Sequence, residues 1–321
     1  MAKPEYIYAV ARIRSREGGL LNAAFLDSLL AAPDEDACLH LLAEHGWGEA
    51  GQTAEEIFRG EEKKTWALMA ELTQDLSVFD VFRLEADYHN LKAAVKDSAA
   101  AQKHAGIWRS GGTVDPQLFA RAVASRDYSA LPAPMQEIAA HAADVFLQTR
   151  DGQMCDVLID RAALEAIGSA GRASGEPLLA LYGELTVAAA DIKTAVRAQR
   201  TGRDEKFLAL ALADCETLDT RSLAAAAAAG FEEICAYLRT TRYADAVAQL
   251  RRSPAAFERW CDNLLIRAIR PQTRVYEGLG PLAAYLLARQ SEIRTARIIL
   301  SGKSCGLPAD EIRERVRETY V

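Results

Sequence analysis

The 321-residue chain lacks several features that mark particular classes of protein. No apolar run approaches the roughly 18 residues that a membrane-spanning helix needs; the longest lies around residues 223–229. Residues 1–16 mix charged with apolar side chains, so they do not form the apolar core of a secretory signal peptide. We therefore expect no secretion, and we expect any membrane association to be made through another protein.

Short cysteine spacings and an excess of positive charge are also missing. The six cysteines are scattered, which indicates neither a disulfide framework nor a zinc site and favours a reducing cytoplasm. Lysine and arginine total 38 against 45 aspartates and glutamates, a formal charge of −7. Nucleic acids and anionic lipids are bound by clustered positive charge, so the composition argues against both as direct partners.

The chain does contain apolar residues at helical spacing along nearly its whole length. Leu84, Tyr88, Leu91 and Val95, for example, lie three or four positions apart. Convincing alternating strands are absent, so the sequence predicts an all-α fold. It predicts helices near 5–17, 20–31, 34–45, 54–72, 75–102, 116–125, 133–149, 154–168, 176–200, 204–213, 219–229, 231–240, 243–251, 254–269, 281–300 and 309–320.

Helix N-termini are indicated by proline and by one capping motif. Pro116, Pro177, Pro254 and Pro281 each occupy a position where a helix begins and where the missing N–H costs nothing. The sequence TAEE at 53–56 is typical of a capping box, in which threonine and glutamate satisfy free amides of the first turn.

The most informative feature is an internal repeat with a constant offset. The segments 90–94, 191–195 and 292–296 align without gaps, each 101 residues after the last, and the offset also relates Leu84, Leu185 and Leu286. Three copies of one helical unit are the simplest explanation. We place these units at 1–112, 113–213 and 214–321.

Glycine-rich segments suggest nucleotide binding only superficially. The sequence GWGEAG at 46–51 fits the spacing of a dinucleotide fingerprint, but the residues before it have helical spacing and no strand precedes it. Gly46 is better explained as a helix C-cap. The sequence GKS at 302–304 lacks the first glycine of a P-loop, since Arg297 occupies that position.

No metal or nucleophile pattern stands out in the sequence either. His40 and His45 are not spaced as zinc ligands on one helix, and no third ligand accompanies them. No serine has the context of a nucleophile elbow. We therefore predict no cofactor, no metal and no catalytic residue.

Several blocks resemble the C-subunit family of V/A-type ATPases, which is related to the d subunit of eukaryotic V-ATPases. They are YAVARIR at 8–14, residues 39–48 ending in HGWG, DYHNLK at 87–92, and GKSCGLPADEIRER at 302–315. The resemblance spans the chain, but the middle third departs from it: residues 189–193 lack the asparagine, and DCE at 214–216 replaces expected glycines.

This resemblance implies a funnel-shaped protein of three similar helical units with pseudo-threefold symmetry. Its base is expected on the membrane rotor ring (c/K-type subunits), and its cup is expected to receive the central stalk, formed by the D and F subunits. It implies a non-catalytic rotor component at the cytoplasmic face of the membrane, peripheral through the ATPase complex, that serves ATP-linked proton or sodium transport.

Two groups of cations are candidate partner contacts. Lys92, Lys193 and Arg294 share one position of the repeat and could point into a common central cavity. An arginine-rich stretch begins with Arg251 and Arg252; it is either a solvated helix face or an electrostatic landing site for an acidic partner.

The alternative function is a stand-alone all-α enzyme or a helical regulatory scaffold. A helical enzyme that binds magnesium through carboxylates needs an aspartate-rich motif, which the sequence lacks. The acidic run at 34–36 is better explained by the preference for negative charge at a helix N-terminus.

Overall fold

The computed structural model describes residues 6–49, 51–98 and 107–321, and all regular structure within these ranges is helical. It divides into two compact units, one made of Met1–Leu76 and Asp245–Val321 and the other of Ser77–Ala244. The all-α prediction is confirmed. The three units at 1–112, 113–213 and 214–321, their pseudo-threefold symmetry and the funnel shape stay predictions.

Sixteen α-helices are described in these ranges. The first are α1 (Ile7–Glu17), α2 (Ala23–Ala31), α3 (Glu35–Glu44) and α4 (Ala54–Leu72). The second unit contains α5 (Leu84–Asp97), α6 (Pro116–Ser125), α7 (Ala133–Thr149), α8 (Gly152–Ala173), α9 (Pro177–Arg200), α10 (Glu205–Ala211), α11 (Thr220–Ala229) and α12 (Phe231–Arg239). The chain then returns to the first unit with α13 (Ala246–Arg252), α14 (Pro254–Ile269), α15 (Gly280–Ser304) and α16 (Ala309–Arg313).

The helix starts predicted from proline and from the capping motif are confirmed. Helices α6, α9, α14 and α15 begin with proline in their first two positions. Thr53 and Glu56 form the predicted capping box at the start of α4, with both reciprocal hydrogen bonds present.

The glycine predicted to end α3 also has the expected backbone conformation. Gly46 follows α3 with φ +88°, a conformation in which glycine avoids the Cβ clash of other residues.

Several predicted helices differ in extent from the structure, and two of them differ most. The predicted helix 75–102 is a 3-10 helix at Leu76–Phe82 followed by α5; of its last residues, 99–102 lie outside the described residues. In the 3-10 helix Phe79, Val81 and Phe82 are all buried, a spacing that one face of an α-helix does not provide. The predicted helix 309–320 ends at Arg313, beyond which the backbone is irregular.

Each unit has its own hydrophobic core. In the first unit, residues of α2, α3, α4 and α15 share one cluster, which includes the fully buried Leu29, Leu42 and Phe58. In the second, α5 to α8 pack around Phe119 and Ile159. Full burial of one such side chain contributes about 1.5–3 kcal/mol, so these clusters fix the positions of the helices.

The three repeated helix segments have the same burial pattern. Ala94 in α5, Ala195 in α9 and Ala296 in α15 are all buried, as are the apolar residues at positions 91, 192 and 293. The repeat therefore corresponds to an equivalent buried face on each of the three helices.

Candidate functional site

The three cations at the repeated position differ in exposure and pairing. Lys92 is half-buried, and its Nζ lies 2.6 Å from Asp160 Oδ1 on α8. Arg294 is exposed, and its Nη1 lies 2.6 Å from Asp262 Oδ1 on α14. Lys193 is exposed and has no ion-pair partner among the described residues. Their role as partner contacts stays a prediction, and Lys193 is the most available of the three.

Arg251 and Arg252 end α13, where positive charge interacts favourably with the helix dipole. Both are exposed. Arg252 Nη2 lies 2.6 Å from Glu314 Oε1, just beyond α16. Such exposed pairs contribute about 0–1 kcal/mol to stability. Arg252 could therefore leave Glu314 and pair with an acidic residue of another protein at little cost in free energy.

The arginines that follow also contact the chain's own C-terminal segment. Arg267 Nε donates to Glu318 Oε1 at 3.0 Å, and Arg270 Nη1 lies 3.1 Å from Glu318 Oε2. Arg270 Nη2 donates to the carbonyl of Thr319 at 2.7 Å. The hydrogen bond from Arg267 lowers the pKa of Glu318. The acidic residues that this arginine-rich stretch contacts thus include residues of the same chain.

The polar residue two positions before each repeated cation is buried. Asn90, Asp191 and Glu292 have relative exposures of 0%, 0% and 7%. A helical wheel places Asn90 on the polar flank of the buried face, so this burial was missed from the sequence. We call these three the anchor residues, because each binds the backbone of another segment.

The first anchor residue, Asn90, uses both ends of its amide. Its Nδ2 donates to the Arg109 carbonyl at 3.0 Å, and its Oδ1 accepts from the Arg109 N–H at 2.8 Å. One turn earlier on α5, buried Asp87 accepts from the N–H groups of Thr113 and Val114 at 2.9 and 3.0 Å. Together they fix the segment that leads into α6.

The second anchor residue, Asp191, is only partly satisfied. Its Oδ1 accepts from the Ala213 N–H at 3.1 Å, but its buried Oδ2 has no hydrogen-bond partner among the described residues. Burial raises the pKa of Asp191 to about 7. On the same helix, Glu184 accepts from the N–H and hydroxyl of Thr217, so α9 fixes the segment that leads into α11.

The third anchor residue, Glu292, belongs to a buried ionic cluster. Its Oε1 accepts from the Leu21 N–H at 2.6 Å, just before α2. Arg289 donates to Glu292 Oε2 and to Glu61 Oε2 of α4, both at 2.7 Å, and its guanidinium lies 4.7 Å from the Trp47 ring centre. Burial raises the pKa of Glu292 to about 7, although Arg289 opposes this.

The three anchor residues share one structural role. Buried polar groups must be paired, and each anchor residue binds backbone that is remote in sequence. A sequence signal for this existed, since in each copy a polar residue directly precedes a buried apolar one. The type of side chain, amide or carboxylic acid, does not predict which backbone segment it binds.

The other chemical candidates have local structural roles. His45 is the C-cap of α3 and its Nε2 lies 3.3 Å from the Gly19 carbonyl oxygen. Within the described ranges, His, Cys, Asp and Glu side chains form no group of three or more that could hold a metal ion. In the same part of the chain, none of the helices combines the length and apolarity needed to cross a membrane.

Comparison with known proteins identifies the family. The profile of the ATP synthase (C/AC39) subunit family matches residues 9–315. The C subunit of the V-type ATP synthase of Thermus thermophilus is 24% identical over 325 residues, which cover 97% of this chain and 98% of the relative. The C subunit of the V-type sodium ATPase of Enterococcus hirae is 20% identical over 265 residues, 81% of this chain and 80% of the relative. Because the profile matches nearly the whole sequence, the chain belongs to the ATP synthase (C/AC39) subunit family.

Proposed function

We propose that the chain is a non-catalytic rotor component of a V/A-type ATPase, joining the central stalk, formed by the D and F subunits, to the membrane rotor ring. The family match over residues 9–315 carries this proposal. Chain and Thermus relative also correspond from end to end, rather than through one shared motif. In this role ATP is hydrolysed in other subunits and ions cross through the ring, so the chain needs no catalytic group.

An adaptor of this kind must transmit torque without deforming. Long packed helices suit that requirement: α9 has 24 residues and α15 has 25. The anchor residues tie α5, α9 and α15 to the segments before α6, α11 and α2, which resists sliding of one element past another. Three such units around a common axis, forming a funnel at the cytoplasmic face of the membrane, are part of the proposal.

The proposed contacts are Lys92, Lys193, Arg294, Arg251 and Arg252. All except Lys92, which is half-buried, are exposed, so acidic side chains of a partner can reach them. Arg294 also lines a surface cavity of about 440 Å³, whose charged lining comprises four arginines and one acid: Arg294, Arg297, Arg315, Arg317 and Glu258. Arginine offers planar donors that fit carboxylates, so this cavity favours an acidic contact.

Reconstitution of the rotary complex tests the function. The complex is assembled in vesicles with and without this chain, and ATP hydrolysis and ATP-driven ion pumping are measured separately. We expect hydrolysis to continue without the chain and pumping to stop, with coupling restored when the chain is added back. Pumping that persists without the chain contradicts the proposal. A chain that binds neither D/F nor the ring, and turns over phosphorylated substrates alone, supports the enzyme alternative.

Charge reversal tests the contacts separately. Lys193→Glu is compared with Lys206→Glu, an exposed lysine of α10 that lies outside the repeated position. Association with D/F and with the ring is measured by size exclusion at low and high salt, because charged contacts weaken with ionic strength. We expect only Lys193→Glu to weaken an association. Equal behaviour of both variants removes Lys193 from the interface but leaves the adaptor function standing.

A further inference from the structure

The anchor residues differ in one chemical respect that the repeat makes visible. The first is an amide, which does not titrate, whereas the second and third are carboxylic acids at the same repeat position. All three bind a backbone segment that leads into a helix: Asn90 binds Arg109, Asp191 binds Ala213, and Glu292 binds Leu21. The same backbone contact is therefore made by one group that does not titrate and by two groups that do.

The two acids are buried in different settings. Asp191 has one buried oxygen without a hydrogen-bond partner in the described part of the chain. Glu292 shares Arg289 with Glu61, whose other oxygen lies 2.7 Å from Lys64 Nζ. A buried charge that lacks full compensation is costly, and such a group either takes up a proton or draws water toward itself.

The groups near Asp191 are mainly acidic, whereas those near Glu292 carry both signs of charge. The charged or titratable groups near Asp191 are Glu184 on its own helix, Asp214 and Cys215 on the segment it binds, and Arg161 on α8. Those near Glu292 are Tyr285 and Arg289 on α15, Glu61 and Lys64 on α4, Arg16 on α1, and Glu318 and Tyr320 of the C-terminal segment. Negative groups face both acids from the elements packed against them.

Glu292 also borders a cavity of about 10 Å³. Ser291, Thr295, Thr319 and Tyr320 contribute to its lining. Leu21, Leu26 and Ile266 also line it, and a cavity of this size can hold about one water molecule.

We propose that Asp191 and Glu292 are pH-responsive anchors, which secure the segments before α11 and α2 when neutral and let them open to water when ionised. Asn90 is the pH-independent version of the same anchor. The contacts of Asp191 and Glu292 are therefore expected to open more often as the pH rises, whereas the contact of Asn90 is not. This device belongs to the isolated chain and does not depend on the rotor function proposed above.

The direction follows from linkage. An acid whose pKa is raised by burial favours the closed form fully below its ordinary pKa, and this preference is lost as the pH rises to the raised value. For Asp191 that window runs from 3.8 to about 7. With these two values, the equilibrium for opening increases up to about thirtyfold between pH 5.5 and pH 8.

Hydrogen exchange tests the proposal directly, because the Ala213 and Leu21 amides are themselves the donors to the two carboxyl groups. Exchange of the full chain is followed at pH 5.5 and pH 8 and corrected for the intrinsic pH dependence of exchange. We expect protection of Ala213 and Leu21 to fall at least tenfold at pH 8, and protection of Arg109 to stay constant.

Matched variants assign the effect to each side chain. Asp191→Asn should remove the pH dependence at Ala213 and keep it at Leu21, and Glu292→Gln should do the reverse. Asn90→Asp should create a pH dependence at Arg109. Unchanged protection of Ala213 and Leu21 across this pH range overturns the proposal, as does a dependence at Ala213 that survives Asp191→Asn. If that variant does not fold, the wild-type exchange and Asn90→Asp decide the question.

Discussion

Replacing Arg289 by methionine probes the buried ionic cluster of the first unit. The Arg289 side chain is 6% exposed and lies 2.7 Å from carboxylate oxygens of both Glu61 and Glu292. Arg289→Met keeps an apolar stem but removes the guanidinium that lies between the two acids. Removing one partner of a buried ion pair costs about 3–5 kcal/mol, because the charge left behind stays buried.

The loss should depend on pH. Burial already raises the pKa of Glu292 to about 7, and without Arg289 this pKa must rise further, since Arg289 is the largest influence that lowers it. Near pH 8 the variant carries an uncompensated Glu292 carboxylate or must take up a proton to fold, whereas Glu61 keeps its contact with Lys64. Near pH 5 Glu292 is already neutral, so we expect a clearly smaller loss of unfolding free energy there.

Urea unfolding at pH 5 and pH 8 measures both effects, and Arg294→Met on the same helix is the matched control. Arg294 is 55% exposed, and its partner Asp262 keeps a second contact with Arg317 at 2.8 Å. We expect the control to lose less than about 1 kcal/mol at either pH. Equal losses for the two variants, or a loss for Arg289→Met that does not change with pH, refute the account of this cluster.

Three further substitutions test the packing and the helix caps through thermal unfolding. Gly171→Ala should destabilise by about 1–3 kcal/mol, because a Cβ there would lie 2.6 Å from the Leu179 carbonyl oxygen, where α8 and α9 are in close contact. A Cβ at Gly60 in α4 would meet none of the described atoms within 4 Å, so Gly60→Ala should stabilise by about 0.5–1 kcal/mol; a loss would show that its surroundings are tighter than described. Thr53→Ala removes the threonine side of the capping box with Glu56 and should cost about 1 kcal/mol, while an unchanged melting temperature would contradict the stabilising role of that cap.

The helices were largely predictable because their signals are local. Proline fixes φ and lacks an N–H, so Pro116, Pro177 and Pro254 mark helix starts whatever surrounds them. The capping box at Thr53 and Glu56 is equally self-contained. Such signals need no knowledge of the tertiary fold, which explains why the sequence identifies these boundaries correctly.

The C-terminal segment was mispredicted because its conformation depends on distant partners. Residues 309–320 have helical spacing, yet the helix ends at Arg313. Beyond it, Glu318 pairs with Arg267, and the Thr319 carbonyl accepts from Arg270. These tertiary hydrogen bonds replace those of a continuing helix, and they join residues about 50 positions apart.

The candidate contacts were predictable as exposed cations but not in their pairing. Arg251, Arg252 and Arg294 are all exposed, as a polar helix face requires. The partners of Arg252 and Arg294 come from elsewhere in the chain; Arg252, for instance, contacts Glu314, 62 residues away. A charge pattern predicts which side chains face water, whereas the acid that each one meets is decided by how the helices pack.

The anchor residues show that the three repeated segments share a tertiary contact as well as a helical conformation. Asn90 and Asp191 bind backbone 19 and 22 residues downstream, so their contacts follow the direction of the chain. Glu292 instead binds Leu21, 271 residues earlier. The N-terminal segment thus supplies to α15 what the segments after α5 and α9 supply to those helices. A repeat of sequence alone would not require a segment from the other end of the chain to take this place. We therefore infer that the three copies have in common the hydrogen bond from a backbone N–H to the anchor residue.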